Sequence, residues 1–318
     1  MNNKVVSGVV SAITLLAIGL AVAALPDYYT GVATKMLILV GLAMAWNVVG
    51  GIGGQLSLGH SVFIGLGALL PASMFLKQSV PLWVGVVVAA LVSAAIGAVI
   101  SWITFRFRLG HLYFALVTLA IGELGRIVVI GTEFLGGASG LLVKYRAWSL
   151  DGIDVSVANQ NLLMALGFAT ISILTTWAIL RSKLGYCLKA VKGNESAAQA
   201  IGINLLQSKT IAMVLSAILS SIGGSVLAHY DGFVDPEVVA SPILIISIIL
   251  FTVVGGIGTL WGPVLGVALL FPLGEILRGL LANSFPGLHL VLFGLILVAV
   301  IRLMPNGIFG WLSQSLRP

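Results

Sequence analysis

Charge is scarce in this chain. Sixteen lysines and arginines and ten acids make up 8% of its 318 residues, whereas a water-soluble globule carries about a quarter. With 59% hydrophobic residues and a mean hydropathy of +1.14, a soluble fold is excluded and the chain belongs in a bilayer. Cysteine is nearly absent, and Cys187 alone excludes an internal disulfide and any cysteine-based metal cluster. The four histidines, His60, His111, His229 and His289, are scattered without metal-ligand spacing. No G-x-x-x-x-G-K-[ST] phosphate loop occurs, and Gly137-Ala138-Ser139-Gly140 has the wrong spacing for a G-x-S-x-G nucleophile turn. The chain is therefore expected to hold no cofactor or metal, to hydrolyse no ATP itself and not to be an enzyme. On such an apolar chain, the net charge of +6 is no signal of nucleic-acid binding.

Long apolar runs are abundant. Segments able to cross a hydrocarbon core of roughly 30 Å are expected at 5–25, 31–50, 60–77, 80–104, 109–131, 161–180, 207–229, 243–256, 260–281 and 287–303. The fold class is all-α, a polytopic bundle of about ten spans (8–10), forming one transmembrane domain over 1–318. The first run is too long for a signal-peptide core, and Pro26-Asp27-Tyr28-Tyr29 is a poor cleavage site, so it is expected to be retained. The thirty-nine glycines suit close helix packing in lipid. Ten spans place both termini on one side. With the amino terminus inside, ten bases, including Arg106, Arg181, Lys183, Lys189, Lys192 and Lys209, face the cytoplasm against one acid, Glu195; four bases and seven acids fall outside. Both termini are thus expected to be cytoplasmic.

The basic island at 181–209 contains a short helix with two end signals. Asn194 is a good N-cap, Glu195 suits the first-turn dipole, and Gly202 suits a left-handed stop. Ala197, Ala198, Ala200 and Gly202 offer little bulk, so another backbone could pack closely. A helix lying on lipid needs large apolar side chains, and only Ile201 and Ile203 supply them. A soluble docking partner is favoured.

A second candidate lies at 46–60, where five glycines in ten residues would break a membrane helix. Broken backbone at membrane depth persists only inside protein or beside a water-filled cavity. Asn47, Gln55, Ser57 and His60, with Phe63 just beyond, stand near this break as candidate lining of a translocation path; mutual satisfaction within a tight turn is the competing expectation. Gly50-Gly51-Ile52-Gly53 recurs as Gly255-Gly256-Ile257-Gly258. Glu123 with Arg126, and Glu275 with Arg278, lie three apart on expected spans, so each pair shares a helix face and mutual ion pairing is the cheapest arrangement. Contact with a zwitterionic substrate or a loaded binding protein is the other option for these four.

Residues 184–204, LGYCLKAVKGNESAAQAIGIN, resemble the coupling loop of the LivM-like permease family of branched-chain amino-acid ABC importers. Residues 54–68 resemble that family's GQLSLGH-x-x-F-x-G-x-GA signature, 113–123 its YFALVTLAIGE pattern, and 302–310, RLMPNGIFG, its carboxyl-terminal close. The matches keep their order over about residues 36–310. Tyr186 and Cys187 stand where arginine is frequent in the family, and Gly193 where an acid is, which puts the individual ATPase contacts in question. The resemblance implies a multi-pass permease of the bacterial inner (cytoplasmic) membrane. Its ATPase-coupling residues would be Gly185, Asn194, Glu195, Ala197, Ala198, Gly202 and Ile203. It also implies as partners two ABC ATPase subunits, a homologous LivH-like second permease and a periplasmic substrate-binding protein, and as cargo branched-chain or other hydrophobic amino acids. A urea or short-chain amide permease is the alternative. An ion-coupled secondary transporter fits less well, because both intramembrane acids have arginine neighbours.

Overall fold

A computed structural model describes residues 26–107, 110–143, 149–150, 153–154 and 156–281, scattered positions between 291 and 304, and 307–315. Twelve α-helices are bounded among them. They are α1 Asp27–Asn47, α2 His60–Gln78, α3 Leu82–Arg106, α4 His111–Gly131, α5 Val157–Arg181, α6 Lys183–Gly193, α7 Glu195–Ala200, α8 Leu205–Asp231, α9 Pro236–Val239, α10 Pro242–Gly256, α11 Gly262–Leu281 and α12 Gly307–Ser315.

Eight helical segments among the described residues are long and apolar enough to cross a membrane: Asp27–Ile52, His60–Gln78, Leu82–Arg106, Leu112–Gly131, Val157–Arg181, Leu205–Asp231, Pro236–Gly256 and Gly262–Leu281. Each coincides with one of the ten expected runs. The other two, 5–25 and 287–303, lie outside the described residues or fall on scattered positions only. The chain is a multi-pass, all-α membrane protein.

Helix α8 is the hub, packing chiefly on α3 and α2, while α1 packs chiefly on α5. Small residues set these crossings. A Cβ on Gly67 of α2 would collide with the Ser221 backbone of α8, and one on Gly224 of α8 with the Ile64 carbonyl of α2, so the two backbones touch reciprocally. Ser225 Oγ donates to Gly67 O at 2.6 Å across the same crossing. The main core gathers side chains such as Ile38, Trp46, Leu69, Leu162, Ile173 and Ile248. A second core at the other end joins Val48, Ile52, Phe63, Leu188 and Met213. Trp83, Val87 and Leu91 on α3, and Leu112, Leu116 and Leu124 on α4, are exposed at helical spacing, as lipid-facing helices require.

Opposite the basic island, the connections are short. Two-residue strands β1, Leu141–Leu142, and β4, Phe233–Val234, pair antiparallel, as do β2, Ser149–Leu150, and β3, Ile153–Asp154. The segment 132–160 thus forms no domain of its own among the described residues.

Candidate functional site

The basic island folds as an elbow of two helices, α6 and α7. Ser182 Oγ caps α6 by accepting from Gly185 N at 3.4 Å, and Asn194 Oδ1 caps α7 by accepting from Ala197 N at 2.9 Å. Gly202 ends α7 with φ +84°, where a side chain would be strained. Asn204 Oδ1 then caps α8 through Gln207 N at 3.0 Å. The cap at Asn194 and the stop at Gly202 are the expected ones. Helix α6 was not anticipated, although its signal is present: Ser182 precedes Gly185, Leu188 and Val191, which are buried at helical spacing while Lys183, Tyr186 and Lys189 are exposed.

The expected coupling residues divide by direction. Gly185 faces inward, where a Cβ would strike the Ile179 carbonyl of α5. Ala198 is only 2% exposed and packs within the chain, and Ile203 is half-buried. Ala197 is exposed, together with Ser196, Gln199, Ala200 and Ile201. These form a small-residue face with one large apolar side chain, Ile201, at 75% exposure.

Glu195 also turns inward. Its Oε1 lies 2.7 Å from Lys209 Nζ and accepts from Gln55 Nε2 at 3.4 Å. The Lys209 side chain is 4% exposed and its ammonium stands 4.6 Å from the centre of the Phe105 ring, so this is a mostly buried charge held by a carboxylate and a π face. Lys192 makes a second tie, donating to Gly51 O at 2.8 Å. Although much of that side chain is exposed, lost hydration at the ammonium lowers its pKa below lysine's usual value. Both helices of the elbow are therefore fastened to the glycine-broken segment. The two candidate regions, separate in the sequence, are one site.

The break is a π-helical turn over Val48–Ile52, after which the chain runs irregularly to His60. Most of its polar groups are satisfied from within. Trp46 Nε1 donates to Ser57 O at 2.7 Å, and Thr118 Oγ1 accepts from Leu58 N at 3.1 Å. Ser216 Oγ donates to Ala45 O at 2.6 Å, so its oxygen accepts from His60 Nε2–H at 2.7 Å. In the neutral ring that leaves His60 Nδ1 to accept from Ser57 Oγ–H at 2.8 Å, so the network selects the Nε2–H tautomer. Phe63 packs edge-on against the His60 ring, with centroids 5.4 Å apart. Asn47, Ser57, His60 and Phe63 are fully buried and Gln55 nearly so. Among the described residues Gln55 Oε1 has no hydrogen-bond partner.

The repeated tetrapeptides meet. Asn47 Oδ1 accepts from Gly258 N and its Nδ2 donates to Thr259 O, both at 2.9 Å. A Cβ on Gly51 would stand 2.7 Å from Gly258 N, and one on Gly258, which has φ +79°, 2.8 Å from Gly51 O. The backbones touch at the ends of α1 and α10.

Both expected ion pairs are present. Arg126 Nε and Nη2 each lie 2.9 Å from Glu123 Oε2, while Arg278 Nη1 is 3.9 Å from Glu275 Oε1. All four side chains are partly exposed, on the outer surface of the bundle rather than in its core. Among the described residues no cluster could hold a metal ion.

Residues 28–301 match the family described as branched-chain amino acid transport system / permease component. The chain is 27% identical to the high-affinity branched-chain amino acid transport system permease protein LivM of Salmonella typhimurium, over 90% of this chain and 71% of that one. It is 26% identical to the LivM of Escherichia coli over the same shares. It is also 24% identical to a probable branched-chain amino acid transport permease protein, LivH, of Methanocaldococcus jannaschii, over 62% of each.

Proposed function

From the premise that this chain belongs to the family of permease components of branched-chain amino acid transport systems, we propose that it passes aliphatic amino acids across a bacterial inner membrane. It is a membrane-spanning permease subunit of an ABC importer. In the full assembly it pairs with a second, LivH-like permease, draws on two ATPase subunits and receives substrate from a periplasmic binding protein. Ten spans with both termini in the cytoplasm put the elbow on the ATPase side.

The observation that carries this account is the double tie between elbow and break. A partner seated on Ala197, Ala200 and Ile201 pushes α6 and α7 together. Lys192 passes that displacement to Gly51 O, and Glu195 passes it to Gln55. Gly51 rests on Gly258, so α1 and α10 shift jointly at this end. Ser57, His60 and Phe63, closed on one another, with Asn47 held on the 258–259 backbone and Gln55 on Glu195, form the inner gate, and moving the π turn unpacks them. Packed interfaces of this kind switch between discrete arrangements, which is what alternating access needs. The chain contributes a gated path and no bond chemistry.

Uptake of labelled leucine, phenylalanine and urea, in a strain deleted for this permease and complemented with it, tests the cargo. Complementation of leucine uptake is expected; restoration of urea uptake alone would replace the proposed cargo.

A further inference from the structure

A pocket of about 640 Å³ opens between α1, α10 and α11 at the end of the bundle opposite the elbow. Its lining combines three chemistries. Lys35 and Arg278 supply positive charge, Asp235 and Glu237 negative charge, and Val238 and Ile243 apolar area, the last two 57% and 75% exposed. We propose that this pocket is an outer subsite for a zwitterionic aliphatic amino acid, with the two bases receiving its carboxylate, the two acids its ammonium, and Val238 and Ile243 its side chain. The proposal deepens the function above and rests on it.

Lys35 is the residue that most needs an explanation. It lies eight residues into α1, about 12 Å along the helix, where an ammonium facing lipid is costly. Among the described residues no carboxylate oxygen comes within 4 Å of it; Asp231 attracts it only from farther away. Arg278 is little better engaged, its one carboxylate contact being the 3.9 Å approach to Glu275. Two bases thus converge on a cavity in which neither holds a carboxylate closer than 3.9 Å among the described residues. Of the acids, Asp235 spends Oδ1 on Glu237 N at 2.8 Å as the cap of α9, and Glu237 is exposed with its carboxylate free of ion pairs within 4 Å among the described residues. The volume lies in the range of small-molecule sites and admits a leucine-sized solute with water.

The test uses the whole transporter in nanodiscs without its binding protein, with ligand binding followed by saturation-transfer NMR. The ligands are leucine, leucinol, which lacks the carboxylate, and 4-methylpentanoate, which lacks the ammonium. Lys35→Gln is expected to weaken leucine about tenfold, as loss of one charge-assisted contact does, while leaving leucinol unchanged. Lys35→Arg should restore leucine, and Glu237→Gln should weaken leucine but not 4-methylpentanoate. Equal effects on leucine and its analogues, no effect of Lys35→Gln or Glu237→Gln, or no measurable leucine binding to the wild type would overturn the subsite. So would a Lys35→Gln defect confined to stimulation of ATP hydrolysis by loaded binding protein, since the pocket would then be a protein contact. Absence of leucine uptake by wild-type cells overturns the transport proposal itself; normal uptake with unaltered leucine binding to Lys35→Gln overturns the subsite alone.

Discussion

Replacing Glu195 by Gln removes the charge that holds Lys209 and joins α7 to the broken segment. Deleting one partner of a buried ion pair costs about 3 to 5 kcal/mol, because the remaining charge stays desolvated. Here the discount is large. The Glu195 side chain is 38% exposed, so solvent screens part of the pairing, and the Phe105 ring still faces the Lys209 ammonium at 4.6 Å. About 2 kcal/mol is left, which corresponds to roughly 3 °C in apparent unfolding temperature for a chain of this size. Fluorescence-detected size exclusion after heating measures that shift in detergent. Glu195→Gln combined with Lys209→Met should recover much of it, since no unpaired buried charge remains. Both variants should insert in the membrane, and both should lose stimulation of ATP hydrolysis by loaded binding protein, because the tie to Gln55 is weakened in each. If Glu195→Gln unfolds at the wild-type temperature, the pair does not hold the elbow. If stability falls while stimulation is unchanged, the tie is structural and transmits nothing.

Cys187, half-buried on α6, should react with a membrane-impermeant maleimide in inverted vesicles and not in intact cells; labelling from outside would invert the proposed orientation. Arg126→Met should lower heat stability more than Glu123→Gln with Arg126→Met, and equal stability in both variants, accompanied by lost transport, would assign the pair to substrate or partner contact. Gly51→Ala should be inserted yet transport slowly, because the new Cβ meets Asn47 and Gly258; uptake at the wild-type rate would exclude a moving contact there.

The spans were legible because each is a long apolar run closed by charge, proline or glycine, and such boundaries need no tertiary information. The Asn194 cap and the Gly202 stop were legible for the same reason, being chemistry within one helical turn. What joins the two candidate regions was not. Gln55 and Glu195 stand 140 positions apart, and Lys192 and Gly51 stand 141 apart, so nothing local links them. Glu195 carried a sufficient local explanation in the helix dipole, which concealed its role as the partner of Lys209. Ala198 shows the same limit from the other side: an alanine in a polar island reads as an open surface, yet at 2% exposure it belongs to the packing between the elbow and the rest of the chain. The glycine tetrapeptides recur with no local sign that they meet, yet Asn47 bonds both Gly258 and Thr259.

The central claim is that the outward face of α7 seats the ATPase, and bulk at Ala197 tests it most directly, because that side chain is exposed among the described residues. Affinity-tagged Ala197→Trp permease, purified from membranes, should be recovered at the wild-type level and elute as a folded species. It should lack its ATPase subunits and support no leucine uptake in cells. Recovery of Ala197→Trp with a full complement of ATPase subunits and normal uptake would contradict the assignment of the elbow as the coupling element.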